Sequence, residues 1–121
     1  MLKVSLDEGY IFDIIAILIV KCSAADSFGK RVRAAVEVER IIGELNEQLG
    51  KRKVADILAS QEFKQLEEDN EVTFRLVEKA RNSQEGLAKS IDEANLKRYH
   101  SKSALQRNFF GTEPAEVKTQ V

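Results

Sequence analysis

The sequence is poor in the residues that build cross-linked or turn-rich folds. Its 121 residues include one cysteine, one proline, one histidine and six glycines, and tryptophan is absent. A single cysteine excludes an intramolecular disulfide framework and is typical of a protein of the reducing cytoplasm. The scarcity of proline and glycine, together with abundant alanine, leucine, glutamate, lysine and arginine, predicts long helices in an all-α fold.

The chain also lacks an excess of charge of either sign. Lysine and arginine number 19, aspartate and glutamate number 20, and the formal net charge is -1. This balance argues against recruitment by nucleic acid or by an anionic membrane surface. Two basic runs, "GKRVR" (29–33) and "GKRK" (50–53), flank one predicted helix, but no aromatic residues interleave them for base stacking. Nucleic acid is therefore not an expected partner.

No run of apolar residues is long enough to cross a bilayer. The most apolar stretch extends over eleven residues from Tyr10 to Val20, covers all of "DIIAILIVK" (13–21) except its final lysine, and already includes Asp13. A membrane-spanning helix needs about 20 apolar residues. The preceding "MLKVSLDEGY" carries two acidic residues beside one lysine, which argues against a secretion signal. We therefore expect a core helix in a cytoplasmic protein that does not associate with membranes.

Hydrophobic periodicity and capping signals predict a single helical domain over residues 1–111, followed by a tail at 112–121. The first helix follows a capping box formed by Ser5 and Glu8. The second begins after Asp26 or Ser27, either of which is a good N-cap. A basic turn and a short amphipathic segment occupy 51–60. The four long helices are predicted at about 6–24, 26–49, 60–81 and 87–110.

Two of these helices predict how the domain is packed. The first is apolar on nearly every side and so needs neighbours on every side. The second carries a seam of residues spaced three and four apart, namely Phe28, Arg31, Ala35, Val38, Ile42, Leu45 and Leu49. At 1.5 Å per residue this helix would be roughly 36 Å long. We expect an elongated antiparallel bundle with coiled-coil-like packing, assembled as a homodimer.

Few residues are candidates for catalysis. Cys22 and His100 would be the nucleophile and base of a cysteine enzyme, but a cysteine inside an apolar helix is typical of plain core packing. His100 follows Lys97 by three residues, so the Glu-x-x-His pattern of helical di-iron sites is missing. We therefore expect no cofactor, and a non-catalytic role in assembly or interaction.

An acidic run in the third helix leaves one enzymatic alternative open. Glu68 and Glu71 lie three residues apart on one helix face, where they would share a magnesium ion. The run resembles half of the motif of all-helical nucleoside triphosphate pyrophosphatases. The other half would include Glu44, but Ile41 stands where its glutamate partner is needed. The alternatives are a degenerate magnesium enzyme using Glu44, Glu68 and Glu71, or an acidic solvated helix face.

Polar residues interrupt three of the predicted apolar stripes, at Asp13, Asn70 and Arg98. A buried charge is costly unless it is paired and hydrogen-bonded. Lys21, the nearest basic residue, lies about 12 Å from Asp13 along the helix axis, too far for direct contact. We therefore expect Arg98 to meet Asp13 from another helix, within a cluster of Asp13, Lys21, Asn70 and Arg98. The cluster is either a structural ion pair, with Asn70 setting helix register, or a polar pocket for a ligand.

Three segments of the chain resemble one known family. "DIIAILIVK" follows Val4 and Ser5 and matches a family stretch close to Asp-Lys-Ile-Thr-Ile-Leu-Glu-Ile-Lys at Asp13, Ile15, Ile17, Leu18 and Lys21. "NEVTFRLVEKAR" (70–81) resembles a central family motif at Asn70, Glu71, Lys79 and Arg81. Asn95, Arg98 and "GTE" (111–113) resemble a later one. The family consists of small helical proteins of bacteria and phages and is catalogued as a domain of unknown function.

The chain departs from this family inside the resembling segments. Ile14 and Ile19 stand where the family has lysine and glutamate, and Phe74 stands where it has tryptophan. The resemblance implies an all-helical fold and structural importance for Asp13, Asn70 and Arg98. It implies no particular reaction, because no activity is established for the family.

Overall fold

A computed structural model describes residues 7–82 and 86–112, and the described residues form helices without strands. Within these residues there are five helices, namely α1 (Glu8–Ala24), α2 (Phe28–Leu49), α3 (Lys51–Leu58), α4 (Gln61–Arg81) and α5 (Ala88–Phe110). The predicted all-α bundle is confirmed. The four predicted long helices correspond to α1, α2, α4 and α5, and the segment after Gly50 forms a fifth short helix, α3.

Side-chain and glycine signals at the helix ends explain these boundaries. The N–H of Lys30 donates to Ser27 Oγ at 3.2 Å, and Ser60 caps α4 in the same way. Gly50 ends α2 and precedes α3 with a φ of 91°, a conformation that favours glycine. Helix α1 begins at Glu8 after Asp7, so Glu8 is its first residue and not the third residue of the predicted capping box. Ser5 and residues 113–121 of the predicted tail lie outside the described residues.

Helix α1 lies at the centre of the bundle, as its all-round apolar surface predicts. It packs against α2, α4 and α5, while α4 and α5 form a second long contact and α3 covers the end of α2. Within the described residues, no helix combines the length and the apolar character needed to cross a membrane.

The hydrophobic core is concentrated in the first half of α1 and the elements around it. Phe12 packs edge-on against Phe63 of α4, with ring centroids 6.4 Å apart, and also against Phe110 of α5. Helix α3 contributes Val54 and Ile57, which explains why this short basic segment is helical. The fully covered core residues are Phe12, Ile15, Ala16, Leu45, Val54, Ile57, Phe63, Leu66 and Leu105.

The predicted seam on α2 is correct over only half of its length. Val38, Ile42, Leu45 and Leu49 pack against the core. Phe28, Arg31 and Ala35 were expected to face inward on the same seam, but all three are exposed. Helix α2 packs against α1 and α3, and the residues that it contributes to the core all lie from Val38 onward, so the first half of the seam is left facing solvent.

A glycine brings α1 and α5 close together. The backbone N–H of Gly9 donates to Gln106 Oε1 at 2.7 Å, and Gln106 is 1% exposed. A Cβ atom at Gly9 would lie 3.1 Å from both Gln106 Oε1 and the carbonyl oxygen of Lys102. Real Cβ contacts are rarely so short, and the second of these atoms is backbone. Glycine is therefore required here by the approach of two helices rather than by backbone conformation.

We expect Gly9→Ala to destabilise the protein by about 1 kcal/mol or more, because the added methyl group pushes α5 away from α1. Gly29→Ala is a matched control, since Gly29 is also the second residue of its helix and a Cβ there meets only Arg33 Nη1, at an ordinary 3.8 Å. The control should be neutral or gain up to about 1 kcal/mol from helix propensity. Urea unfolding of both variants measures the difference, and equal effects would contradict the close packing at Gly9.

Candidate functional site

Asp13 is buried at the junction of α1, α4 and α5. Its carboxylate accepts a hydrogen bond from Asn70 Nδ2 at 2.9 Å and forms an ion pair with Arg98 at 3.5 Å. Asp13 is 3% exposed and Asn70 4% exposed, whereas the side chain of Arg98 is 30% exposed. The structure thus brings together three residues that the sequence singles out, and it places the predicted partner, Arg98, beside Asp13.

Each member of this cluster is held by its own helix. Asp13 follows Phe12 in α1, and the side chains of both residues contact α4 and α5. Asn70 also donates to the carbonyl oxygen of Leu66, one turn earlier in α4. Arg98 is fixed on α5 by a bond from its Nη1 to Asn95 Oδ1 at 3.3 Å. The carboxylate of Asp13 therefore meets donors that are already oriented.

Lys21 does not belong to the buried cluster, which corrects the predicted set of four residues. Its side chain is exposed, and the described residues include no ion-pair partner for it. Two turns of α1 separate it from Asp13, so the two side chains emerge at different levels of the bundle. Lys21 instead lines a cleft that Asn70 and Arg98 also line, at the edge of the cluster.

Two further buried polar residues, Asp69 and Gln106, make contacts between helices that were not predicted from the sequence. Ser101 Oγ of α5 donates to Asp69 Oδ2 of α4, and Gln65 Nε2 donates to the other carboxylate oxygen of Asp69 at 3.1 Å. Gln106 bridges α1 and α5, donating from Nε2 to Glu8 and accepting from Gly9. Asp69 lies three residues after Leu66 and four before Thr73, on the inward face of α4. The periodicity of the sequence could therefore have predicted that Asp69 is buried.

The carboxylates of the predicted magnesium site do not converge. Glu44 lies on the exposed face of α2 and accepts from Arg40 at 2.8 Å, while Glu71 pairs with Arg75 along α4. Glu68 is exposed and lines the same groove between α1 and α4 as Glu71, away from Glu44 on α2. Within the described part of the chain there is no group of three or more histidine, cysteine, aspartate or glutamate side chains that would hold a metal ion.

The suggested nucleophile and base have separate surroundings. Cys22 is half-buried, and its Sγ donates to the carbonyl oxygen of Arg31 across the α1–α2 turn, at 3.6 Å. The ring of His100 is exposed on α5, where it packs edge-on against Tyr99. No contact between Cys22 and His100 is found among the described residues, and the geometry supports the ordinary packing role expected for the cysteine.

The second half of α1 is less completely covered than the first, and cavities open along it. A groove of about 580 Å³ lies between α1 and α4, with Ile19, Val20 and Phe74 among its lining residues. Its α4 rim carries Glu67, Glu68 and Glu71. Burial of the carboxyl group and the negative charge of Glu68 raise the pKa of Glu67 above its ordinary value of 4.5, while Lys64 partly opposes this effect.

We expect Asp13→Ala to lower the free energy of unfolding by about 2 kcal/mol, because it removes the carboxylate that Asn70 and Arg98 meet. The partial exposure of Arg98 allows water to solvate the cation that is left, which keeps the loss below that of a fully buried pair. Glu68→Ala, on the exposed face of α4, should change stability by less than about 0.5 kcal/mol. Denaturant titration compares the two variants, and equally small effects would contradict the burial of Asp13.

We expect Glu67→Gln to raise the melting temperature at neutral pH. The raised pKa means that ionisation of Glu67 opposes folding, and this cost grows as pH rises from 4.5 through the higher pKa of the folded state. Glutamine removes the cost. The advantage should vanish at about pH 3, where the carboxyl group is protonated in both states. Thermal unfolding at both pH values measures it, and a melting temperature unchanged or lowered at neutral pH would refute the expectation.

Comparisons with known proteins identify no relative of this chain. No protein-family model, no curated protein and no solved structure matches it. The resemblance to the bacterial and phage family therefore stays a prediction, and function rests on the chain's own residues and their geometry.

Proposed function

We propose that this protein is a non-catalytic helical assembly protein that binds a second copy of itself through α2. The observation that carries the proposal is an apolar stripe on the face of α2 directed away from α1. Phe28, Val32 and Val36 are 79%, 40% and 58% exposed. They follow one another at intervals of four residues and so form one continuous row on the helix surface.

The distribution of charge along α2 favours a second copy in an antiparallel orientation. The first part of α2 is basic, with Lys30, Arg31 and Arg33, and the second part is mostly acidic, with Glu37, Glu39, Glu44 and Glu47. A twofold axis across the middle of α2 would set the basic half of one copy against the acidic half of the other. A parallel arrangement would instead oppose like charges.

The open surface at Gly43 also suits an antiparallel partner. Gly43 lies on the same side of α2 as Phe28, Val32 and Val36, and a Cβ atom there would meet nothing within 4 Å. The missing side chain at Gly43 leaves room on this side of α2 for the close approach of a partner helix. Helix α2 has 22 residues, about 33 Å of length, so the paired helices offer far more contact than the three apolar residues alone.

A cytoplasmic location is part of the same proposal. Cys22 is the single cysteine of the chain, and its thiol, half-buried at the α1–α2 turn, makes a hydrogen bond to backbone rather than a disulfide. A reducing compartment keeps such a thiol in this form.

Sedimentation or light scattering over a range of concentrations tests self-association. We expect the mass to rise from 13.6 kDa towards twice that value as the concentration reaches about 100 µM. Val36→Asp places an unpaired charge in the proposed interface and should weaken association by about tenfold or more. The variant should remain folded, because Val36 is exposed in the single chain.

Val72→Asp provides the matched control. Val72 is exposed to a similar degree, at 53%, and also lies within a helix, but on α4 and away from the proposed interface. It should associate as the unmodified chain does. A monomer at every concentration, or equal weakening by both substitutions, would refute association through α2.

A further inference from the structure

We propose that the cleft beside Arg98, between α1, α4 and α5, binds a small organic phosphate: a dianionic phosphoryl group carried on an apolar or aromatic body. No residue of α2 lines this cleft, and the proposal does not depend on self-association.

The cleft combines a basic rim with an apolar wall. Lys21 of α1, Arg81 of α4 and Arg98 of α5 line it together with Ile17, Phe74 and Val77. Its volume is about 320 Å³, at the lower end of the range of about 300–1,000 Å³ typical of small-molecule sites. Apolar walls that surround a few convergent charged groups are the usual construction of such a site.

The cations of the rim are available to an anion. The guanidinium of Arg98 contacts Asp13 and Asn95 and, having five N–H donors, keeps others for a ligand. Its position is set by the contact with the buried Asp13 and by the bond to Asn95, so little order is lost on binding. Lys21 has no ion-pair partner among residues 7–82 and 86–112. Arg81 pairs with Glu78 at 3.3 Å, but both side chains are well exposed and such a pair is weak.

A second cavity continues the basic surface towards α2. It has a volume of about 470 Å³, shares Lys21, Phe74 and Arg81 with the cleft, and adds Lys30 and Arg33. Lys30 pairs with Asp26 at 3.0 Å, whereas Arg33 is exposed. Across the two cavities the basic side chains outnumber the acidic ones by five to two, although the whole chain has a net charge of -1. The local excess of positive charge favours a multiply charged anion, and the guanidinium forks suit phosphate geometry.

The surroundings of this basic surface favour a small molecule over a nucleic acid strand. On the far side of Phe74 acidic side chains outnumber basic ones, because the neighbouring groove is lined by Glu67, Glu68 and Glu71 against Lys64 and Arg75. A polyanion extended along α4 would run over these carboxylates and be repelled. A compact phosphate whose body rests against Phe74 and Val77 avoids them.

Calorimetric titration of the full chain in buffer containing a metal chelator tests the site. The probes are adenosine monophosphate and 1-naphthyl phosphate, with adenosine, 1-naphthol and inorganic phosphate as the corresponding fragments. We expect at least one of the two organic phosphates to bind about tenfold or more tightly than either of its fragments, because the cleft contacts both parts of the molecule.

Substitutions locate the binding. Lys21→Ala and Arg81→Ala should each weaken binding of the organic phosphate by about tenfold. Both residues are exposed and neither has a role in the core. Lys79→Ala is the matched control: it removes one positive charge from an exposed position on α4, two residues from Arg81, but Lys79 does not line either cavity. The control should bind as the unmodified chain does.

The opposing outcomes are distinct. Failure of both organic phosphates to bind at about 10 mM would refute the site. Equal weakening by Lys79→Ala would show attraction by general surface charge. Binding that appears only after magnesium is added would indicate metal-assisted recognition, and tighter binding of a single-stranded oligonucleotide than of either organic phosphate would indicate a nucleic acid surface. Each of these four results would overturn the proposal.

Discussion

The carboxylate of Asp13 is the constraint on which the arrangement of the three central helices depends. A charge that is 3% exposed must find partners within the protein, since water does not reach it. Its partners come from two other helices, Asn70 on α4 and Arg98 on α5. A slide of either helix by one turn would leave the charge without its donor. A hydrophobic contact tolerates such a slide, because apolar surfaces are not directional. The hydrogen bond and ion pair of Asp13 do not tolerate it, because they need their donors at fixed positions.

Further polar contacts reinforce the same register. Asp69 meets Ser101 between α4 and α5, and Gln106 joins α5 to the backbone of Gly9 at the start of α1. Polar contacts thus lie at several levels of the junction between these helices. On one side of them the core is closed by Phe12, Ile15 and the elements that cover them. On the other side α1 is only partly covered, and it is there that the cleft and grooves open.

Features set by local chemistry were predicted better than features set by the packing of helices against one another. Helix limits follow from local chemistry, such as the cap at Ser27 and the glycine at Gly50, and they are predicted to within two residues. The need of Asp13 for a partner on another helix follows from the cost of burying a charge, and Arg98 lies at that position in the structure. The inward direction of Phe28 was wrong, because periodicity shows which residues share a face but not how far along a helix its neighbour extends. Lys21 was misplaced in the buried cluster for a related reason: its separation from Asp13 is clear, but its exposure depends on how much of α1 is covered.

By itself the sequence determined that the chain is helical, where its long helices begin and end, and that Asp13 needs a partner on another helix. These properties depend on interactions within a few residues, or on a desolvation cost that holds wherever the charge is buried. Only the tertiary structure decided that Asn70 supplies the hydrogen bond to Asp13, that Gly9 must lack a side chain, and that Lys21, Arg81 and Arg98 line one cleft. Those outcomes depend on distances between helices that are remote in sequence, and such distances are set by the packing of all of the helices together.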